Sequence, residues 1–154
     1  MIQLTDRIWI GNSFDEEECN LGFFGITAVL NVAQDLQPTR GWDKGIEYAH
    51  VGLIDGPGNP ISMYCSAILA LRTLVGRRKV LVCCHTASRS LAVVIMYQRA
   101  SAGQGWPGDW SLDWDGHMSA LMSRVKQVLP VPRPAHREAF DRLCWRSLEG
   151  MMKD

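Results

Sequence analysis

A cysteine and an arginine six residues apart, Cys83 and Arg89, frame the stretch KVLVCCHTASRS, which runs from Lys79 to Ser90. The interval CHTAS is long enough to fold round a tetrahedral anion. Where such a loop leaves a strand and enters a helix, successive backbone N–H groups converge on the anion and the helix dipole adds positive potential. An arginine at the rim offers a planar fork for two phosphate oxygens. A cysteine at the floor of such a loop is stabilised as the thiolate, with a pKa of ~4–7 in place of ~8.5, and is a nucleophile near neutral pH. Cys84 stands only five residues before Arg89, which leaves the loop one residue short, and its side chain is expected to point away from the cradle. On the residues alone a blander account stays open, in which both cysteines are buried apolar residues at a strand end. That account is preferred for Cys84.

Transfer of a phosphoryl group to a thiolate expels an alkoxide or phenoxide, which needs a proton. Asp55, in the loop IDGPGNP, is the candidate acid, and an ordinary turn aspartate is the competing reading.

The elements that must position these residues follow from hydrophobic pattern. RIWIG (Arg7–Gly11), ITAVLNVA (Ile26–Ala33), EYAHVGL (Glu47–Leu53) and KVLVC (Lys79–Cys83) read as strands, the second β-branched and apolar enough to be buried on both faces. Ser13 is placed to cap a helix whose first turn carries a run of acids. From Ile61 the period becomes helical, with Tyr64, Ala67, Ile68, Leu71, Leu74 and Val75 on one face. RSLAVVIMYQR is apolar nearly all round and reads as a central helix, and two more helices are expected at about 111–128 and 134–151. Strands alternating with helices predict an α/β fold: a single domain over 1–154 with a central, mostly parallel sheet flanked by helices. Its ligand site belongs at the carboxyl ends of the strands, where both Asp55 and Cys83 stand.

Sixteen basic and sixteen acidic residues cancel, and no charge block marks a nucleic-acid or membrane surface. The first residues lack the pattern of a signal peptide, and no apolar run approaches the ~20 residues that span a bilayer. Five irregularly spaced cysteines suit free thiols in a reducing cytoplasm. Cys83, Cys84 and His85 are consecutive, a poor arrangement for one tetrahedral metal ion, and no metal is expected.

Most of the chain resembles, in order, the dual-specificity branch of the protein-tyrosine phosphatases. The resemblance runs through RIWIGNSFDEE and GITAVLNVAQDL, with Leu30-Asn31-Val32 at its centre. It continues through EYAHVGLIDGPGNPISMYCSAI with Asp55 and Asn59, VLVCCHTASRSLAVVIMY, and VKQVLPVPRPAHREAFDRL. It implies that Cys83 attacks phosphorus and forms a phosphocysteine. Arg89 and the backbone of Cys84, His85, Thr86, Ala87 and Ser88 would bind the equatorial oxygens. Asp55 would protonate the leaving oxygen and then activate water, and Ser90 would hydrogen-bond the sulfur. It also implies a phosphorylated protein or peptide substrate, no metal or other cofactor, and a monomer by default.

Two positions depart from that pattern. Val82 stands where a histidine usually precedes the nucleophile, and Thr86 where a glycine usually permits φ > 0, a conformation that strains a β-branched residue. His85 is a candidate compensating charge, and the vicinal Cys83–Cys84 pair with Cys65 invites reversible oxidation. Trp106, Trp110 and Trp114, interleaved with aspartates over 101–116, are expected to pack on the domain, a recognition surface being the sharper alternative. The expected activity is hydrolysis of phosphotyrosine, with phosphoserine and phosphothreonine if the pocket is shallow. The alternatives are a phosphate-binding module without turnover, or a phosphatase for phosphoinositides or RNA 5′ ends.

Overall fold

Strand β5 (Lys79–Cys83) lies at the middle of a five-stranded sheet ordered β1-β2-β5-β3-β4. Its neighbours are β2 (Ile8–Gly11) and β3 (Ile26–Ala33), both parallel to it, and β4 (Glu47–Leu53) runs parallel to β3 at the edge. The two-residue β1 (Ile2–Gln3) closes the other edge antiparallel to β2. The computed structural model describes residues 1–13, 21–37, 45–101, 113–126 and 129–153. The helix expected after Ser13, and Trp106 and Trp110, lie outside them.

The apolar, β-branched composition of β3 and β5 is what a strand covered on both sides requires, and from Val80 to Cys83 every β5 residue is buried. Helix α1 (Ile61–Val75) packs on β3, β4 and β5 through the face that carries Tyr64, Ala67, Ile68, Leu71 and Leu74. The central helix α2 (Ser88–Ala100) is buried nearly all round, as its apolar sequence predicts. It touches β2, β3 and β5 and all four other α-helices of the described residues.

Helix α3 (Trp114–Val125) opens on Asp113, whose carboxylate accepts from the Gly116 N–H at 3.0 Å. Trp114 is buried against Phe140, with ring centroids 5.2 Å apart, so this tryptophan does pack on the domain. The single helix expected over 134–151 is two: α4 (Pro134–Arg142) and α5 (Trp145–Met152). Leu143 turns extended (ψ 142°) to bury its side chain in the core, which ends α4 and lets the next helix start at a new angle.

Register brings the strand ends together. Cys83 pairs with Gly11 on one side and Asn31 on the other, and Ala33 pairs with Leu53. The loops after β3, β4 and β5 therefore leave one edge of the sheet side by side, the place where an open α/β sheet holds its ligand.

Candidate active site

The loop after β3 is shaped by buried Asn31. Its Nδ2 donates to the Leu36 carbonyl at 2.6 Å and its Oδ1 accepts from the Ala33 N–H at 2.9 Å. The resulting turn presents Asp35 to the loop after β5. The loop after β4 is stapled by Asn59, whose Oδ1 accepts from the Ile54 N–H while its Nδ2 donates to the Ile54 carbonyl, both at 2.8 Å. Gly58 within it has φ +108°, a conformation that strains any side chain. This clasp holds Asp55 at the head of the loop.

Arg89, in the first turn of α2, is only 3% exposed. Its Nη1 donates to Asp35 Oδ1 and to the Leu53 carbonyl, each at 2.8 Å. Its Nε is buried and has no partner among the described residues. A buried guanidinium nitrogen without an acceptor is costly unless a ligand supplies one. The fork is thus tied down at one nitrogen, while the buried Nε keeps its donor unused among the described residues.

The two neighbours of Arg89 connect the remaining residues. Ser88 Oγ accepts from the Arg133 N–H at 3.3 Å and donates to Asp55 Oδ1 at 3.1 Å. Ser90 Oγ lies 3.1 Å from the Ala87 carbonyl and 3.6 Å from Cys84 Sγ. Cys84 is buried and is the first residue beyond β5, whereas Cys83 is the last residue held in the ladder.

This corrects two expectations. Cys84 does not point away from the cradle: its sulfur faces Ser90, the contact expected of Cys83. β5 ends at Cys83, as its pattern predicts, and Cys84, the first residue of the loop that follows, is the one whose sulfur reaches the first turn of α2. Nor does Thr86 take the left-handed conformation. That falls to Ala87 (φ +69°, ψ −1°), immediately before α2, so the expected β-branched strain does not arise. Val82 is an ordinary buried ladder residue between Ile10 and Leu30.

Two residues near the site carried no signal in the sequence. Asp35 holds Arg89, and its carbonyl oxygen lies 3.1 Å from His85 Nε2. His136, fully buried at the start of α4, places Nε2 3.0 Å from Asp55 Oδ1. Arg133 Nε adds a longer contact, 3.5 Å from Asp55 Oδ2.

Burial works to raise the pKa of Asp55, but hydrogen bonds from His136 and Ser88, with the charge of Arg89, outweigh it and hold the carboxyl below its ordinary value. Asp35 is held low in the same way, its partial burial being overcome by the bond from Arg89. Burial depresses the pKa of His136, against the pull of Asp55, so its imidazole is neutral.

A shallow cleft of about 420 Å³ opens beside this cluster, bounded by Asp55, Pro57, Arg133, Pro134 and Glu138. A larger cleft, about 950 Å³, lies elsewhere, between Arg7, Arg72, Tyr97 and Glu149, and contains none of these residues. No helix among the described residues is long and apolar enough to cross a membrane.

No protein-family model matches the chain. No curated protein sequence matches it either. Solved structures do. DUSP15 shares 20% identity at a TM-score of 0.76, over 99% of this chain and 94% of its own. Human DUSP28 shares 19% at 0.65, over 99% and 97%. The human tyrosine phosphatase-like serine/threonine/tyrosine-interacting protein shares 17% at 0.71, over 92% and 93%. With strand order, parallel register and the loop after β5 already placed, these likenesses close the structural question: the chain has the fold of the dual-specificity phosphatases.

Proposed function

We propose that the chain is a cysteine-dependent phosphatase that hydrolyses phosphotyrosine monoesters in proteins or peptides, with phosphoserine and phosphothreonine as further substrates. The observation that carries this reading is the buried, doubly tethered Arg89. Its Nε lacks a partner among the described residues, and its neighbours Ser88 and Ser90 touch Asp55 and the Cys84 sulfur. Exposed Ile54 and Val131 adjoin this site in sequence and suit the flanks of an aromatic ring.

The geometry favours Cys84 as nucleophile. Its sulfur forms a bond to phosphorus as the ester P–O bond breaks, and the electron pair goes to the leaving oxygen, which takes a proton from Asp55. Arg89 and the loop N–H groups hold the equatorial oxygens, in the positioning role that phosphoryl transfer requires. Water then gives a proton to the Asp55 carboxylate as its oxygen bonds phosphorus. The S–P bond breaks and sulfur departs as a thiolate, towards which the Ser90 hydroxyl turns its hydrogen from the Ala87 carbonyl. His85, Thr86, Ala87 and Ser88 contribute backbone, and Cys83 anchors the strand.

A second reading, phosphate binding without turnover, is favoured by one observation. From Cys84 the loop HTAS has four residues before Arg89, one N–H donor fewer than the five-residue interval from Cys83 supplies.

The test is metal-free hydrolysis of a small aryl phosphate at about pH 5 to 8 by the wild type, Cys83→Ser and Cys84→Ser. Turnover lost only in Cys84→Ser is the expected result. Loss confined to Cys83→Ser would return the nucleophile to the strand. Vanadate binding by an inert wild type would establish the second reading.

A further inference from the structure

A continuous line of hydrogen bonds runs from the acid loop through two buried side chains and back to the same loop. Asn59 Nδ2 donates to the Tyr64 hydroxyl at 3.2 Å, Tyr64 stands 2.7 Å from His136 Nδ1, and His136 Nε2 stands 3.0 Å from Asp55 Oδ1. Tyr64 is 1% exposed and His136 0%.

The direction of every bond is fixed by its ends. The Ile54 N–H can only donate, so Asn59 Oδ1 accepts from it, which sets the amide orientation and turns Nδ2 towards Tyr64. The Asp55 carboxylate can only accept, so the imidazole proton sits on Nε2, pointing at Asp55, and Nδ1 accepts from the Tyr64 hydroxyl, whose oxygen accepts from Asn59. On the other side, the Arg133 N–H donates to Ser88 Oγ, so the Ser88 hydrogen also goes to Asp55 Oδ1.

We propose that His136 is a positioning residue for the proton donor: with Ser88 it commits Asp55 Oδ1 as a double acceptor, so that Oδ2 alone carries the proton delivered to the leaving oxygen. The proposal rests on the phosphatase reading for its consequence in turnover, but the bond pattern is testable without it. The ionised Asp55 carboxylate selects the Nε2–H tautomer, because the other would set a bare Nε2 against Oδ1, and Tyr64 favours the same tautomer by offering Nδ1 a donor. The groups that face Asp55 are His136 and Arg133 from α4 and the segment before it, and Ser88 and Arg89 from α2. Tyr64 of α1 acts on it through His136. Of these, only Ser88 and His136 hydrogen-bond Oδ1, and Arg133 Nε stands 3.5 Å from Oδ2.

A carboxylic acid with both oxygens equivalent spends half its protonated population with the hydrogen on the wrong oxygen, and a side chain free to swing loses alignment. Misplacement by an ångström costs roughly 100-fold in rate. His136 prevents both faults while remaining neutral, so it adds no charge to a site that must bind a dianion and then release phosphate.

The test combines nitrogen-15 NMR of His136, carbon-13 NMR of the Asp55 carboxyl, and the pH profile of kcat/KM. The variants are His136→Leu, His136→Gln and Tyr64→Phe. In the wild type, Nε2 should carry the proton and Nδ1 be bare. His136→Leu should raise the Asp55 titration midpoint, move the basic limb of the profile to higher pH, and lower kcat roughly 10- to 100-fold with KM little changed. His136→Gln, which keeps a donor near the Nε2 position, should restore the low midpoint and most of kcat. Tyr64→Phe should leave a folded protein whose His136 proton stays on Nε2, held there by Asp55 alone, so it decides the matter if His136→Leu fails to fold. An Asp55 midpoint unmoved in His136→Leu, or a proton on Nδ1 in the wild type, overturns the proposal. If the wild type proves inert, the phosphatase reading fails, but the two NMR measurements still decide whether His136 donates to Asp55.

Discussion

Arg89 Nη1 stands 2.8 Å from Asp35 Oδ1, so the exit loop of one strand holds the arginine that follows another. The carboxylate is 63% exposed while the guanidinium is 3% exposed, an ion pair with one end in water and the other in the protein. Its worth lies in orientation more than in stability, since a half-exposed pair contributes only ~0–1 kcal/mol.

Asp35→Asn should therefore leave the fold intact and loosen the fork. A loss of about 1 kcal/mol of phosphate binding is expected, or ~5-fold, from weakening one charge-assisted bond in a partly solvated place. Vanadate inhibition and KM for an aryl phosphate measure it. Inhibition equal to the wild type would mean that the Leu53 carbonyl alone sets the arginine.

Ala87 is left-handed without being glycine. That conformation costs an L-residue ~1–2 kcal/mol, and the extra unfolded-state entropy of glycine returns ~0.4–1 of it. Ala87→Gly should stabilise the protein by up to ~1 kcal/mol, or roughly 2–4 °C in Tm. A lower Tm would mean that the Ala87 methyl makes packing contacts worth more than the strain.

Acid should destabilise the fold in two stages. His136 resists protonation in its buried place, while in the unfolded chain it titrates near its ordinary 6.5. Below that value the unfolded state takes up a proton that the folded state declines, so stability falls as pH falls. Asp35 and Asp55, held below their ordinary 3.8, contribute stability in full above that value and lose it as pH drops through their folded pKa values. Thermal unfolding from about pH 8 to 2 should show both declines. His136→Gln should remove the first, and an unchanged slope near pH 6 in that variant would refute the assignment.

The sheet was legible because β3 and β5 are β-branched runs that only a doubly covered strand can use, and their predicted limits, Ile26–Ala33 and Lys79–Cys83, are the observed ones. Spacing was a poorer guide to the loop. Counting back from Arg89 favoured Cys83 for the contact with Ser90, whereas Cys84 makes it, and where a side chain points at a strand end is a property of three strands together. Asp35 and His136 were invisible for a related reason. Nothing local in VAQDL or PAHREAF distinguishes a carboxylate that meets Arg89, or a ring that meets Asp55, from polar residues facing water. The break at Leu143 was hidden too, because a buried leucine fits a continuous apolar face as well as it fits a turn.

The line from Tyr64 through His136 to Asp55 also orders events on the ribosome. Asp55 and the loop ending at Arg89 are made before α4, and chains emerge at ~5–20 residues per second. For several seconds, then, Asp55 and Arg89 exist without the imidazole that contacts Asp55. A nascent chain able to gather all five strands of the described sheet still lacks that partner. Segments far apart in sequence must wait for one another, so the line from Tyr64 to Asp55 closes only after the later helices have docked.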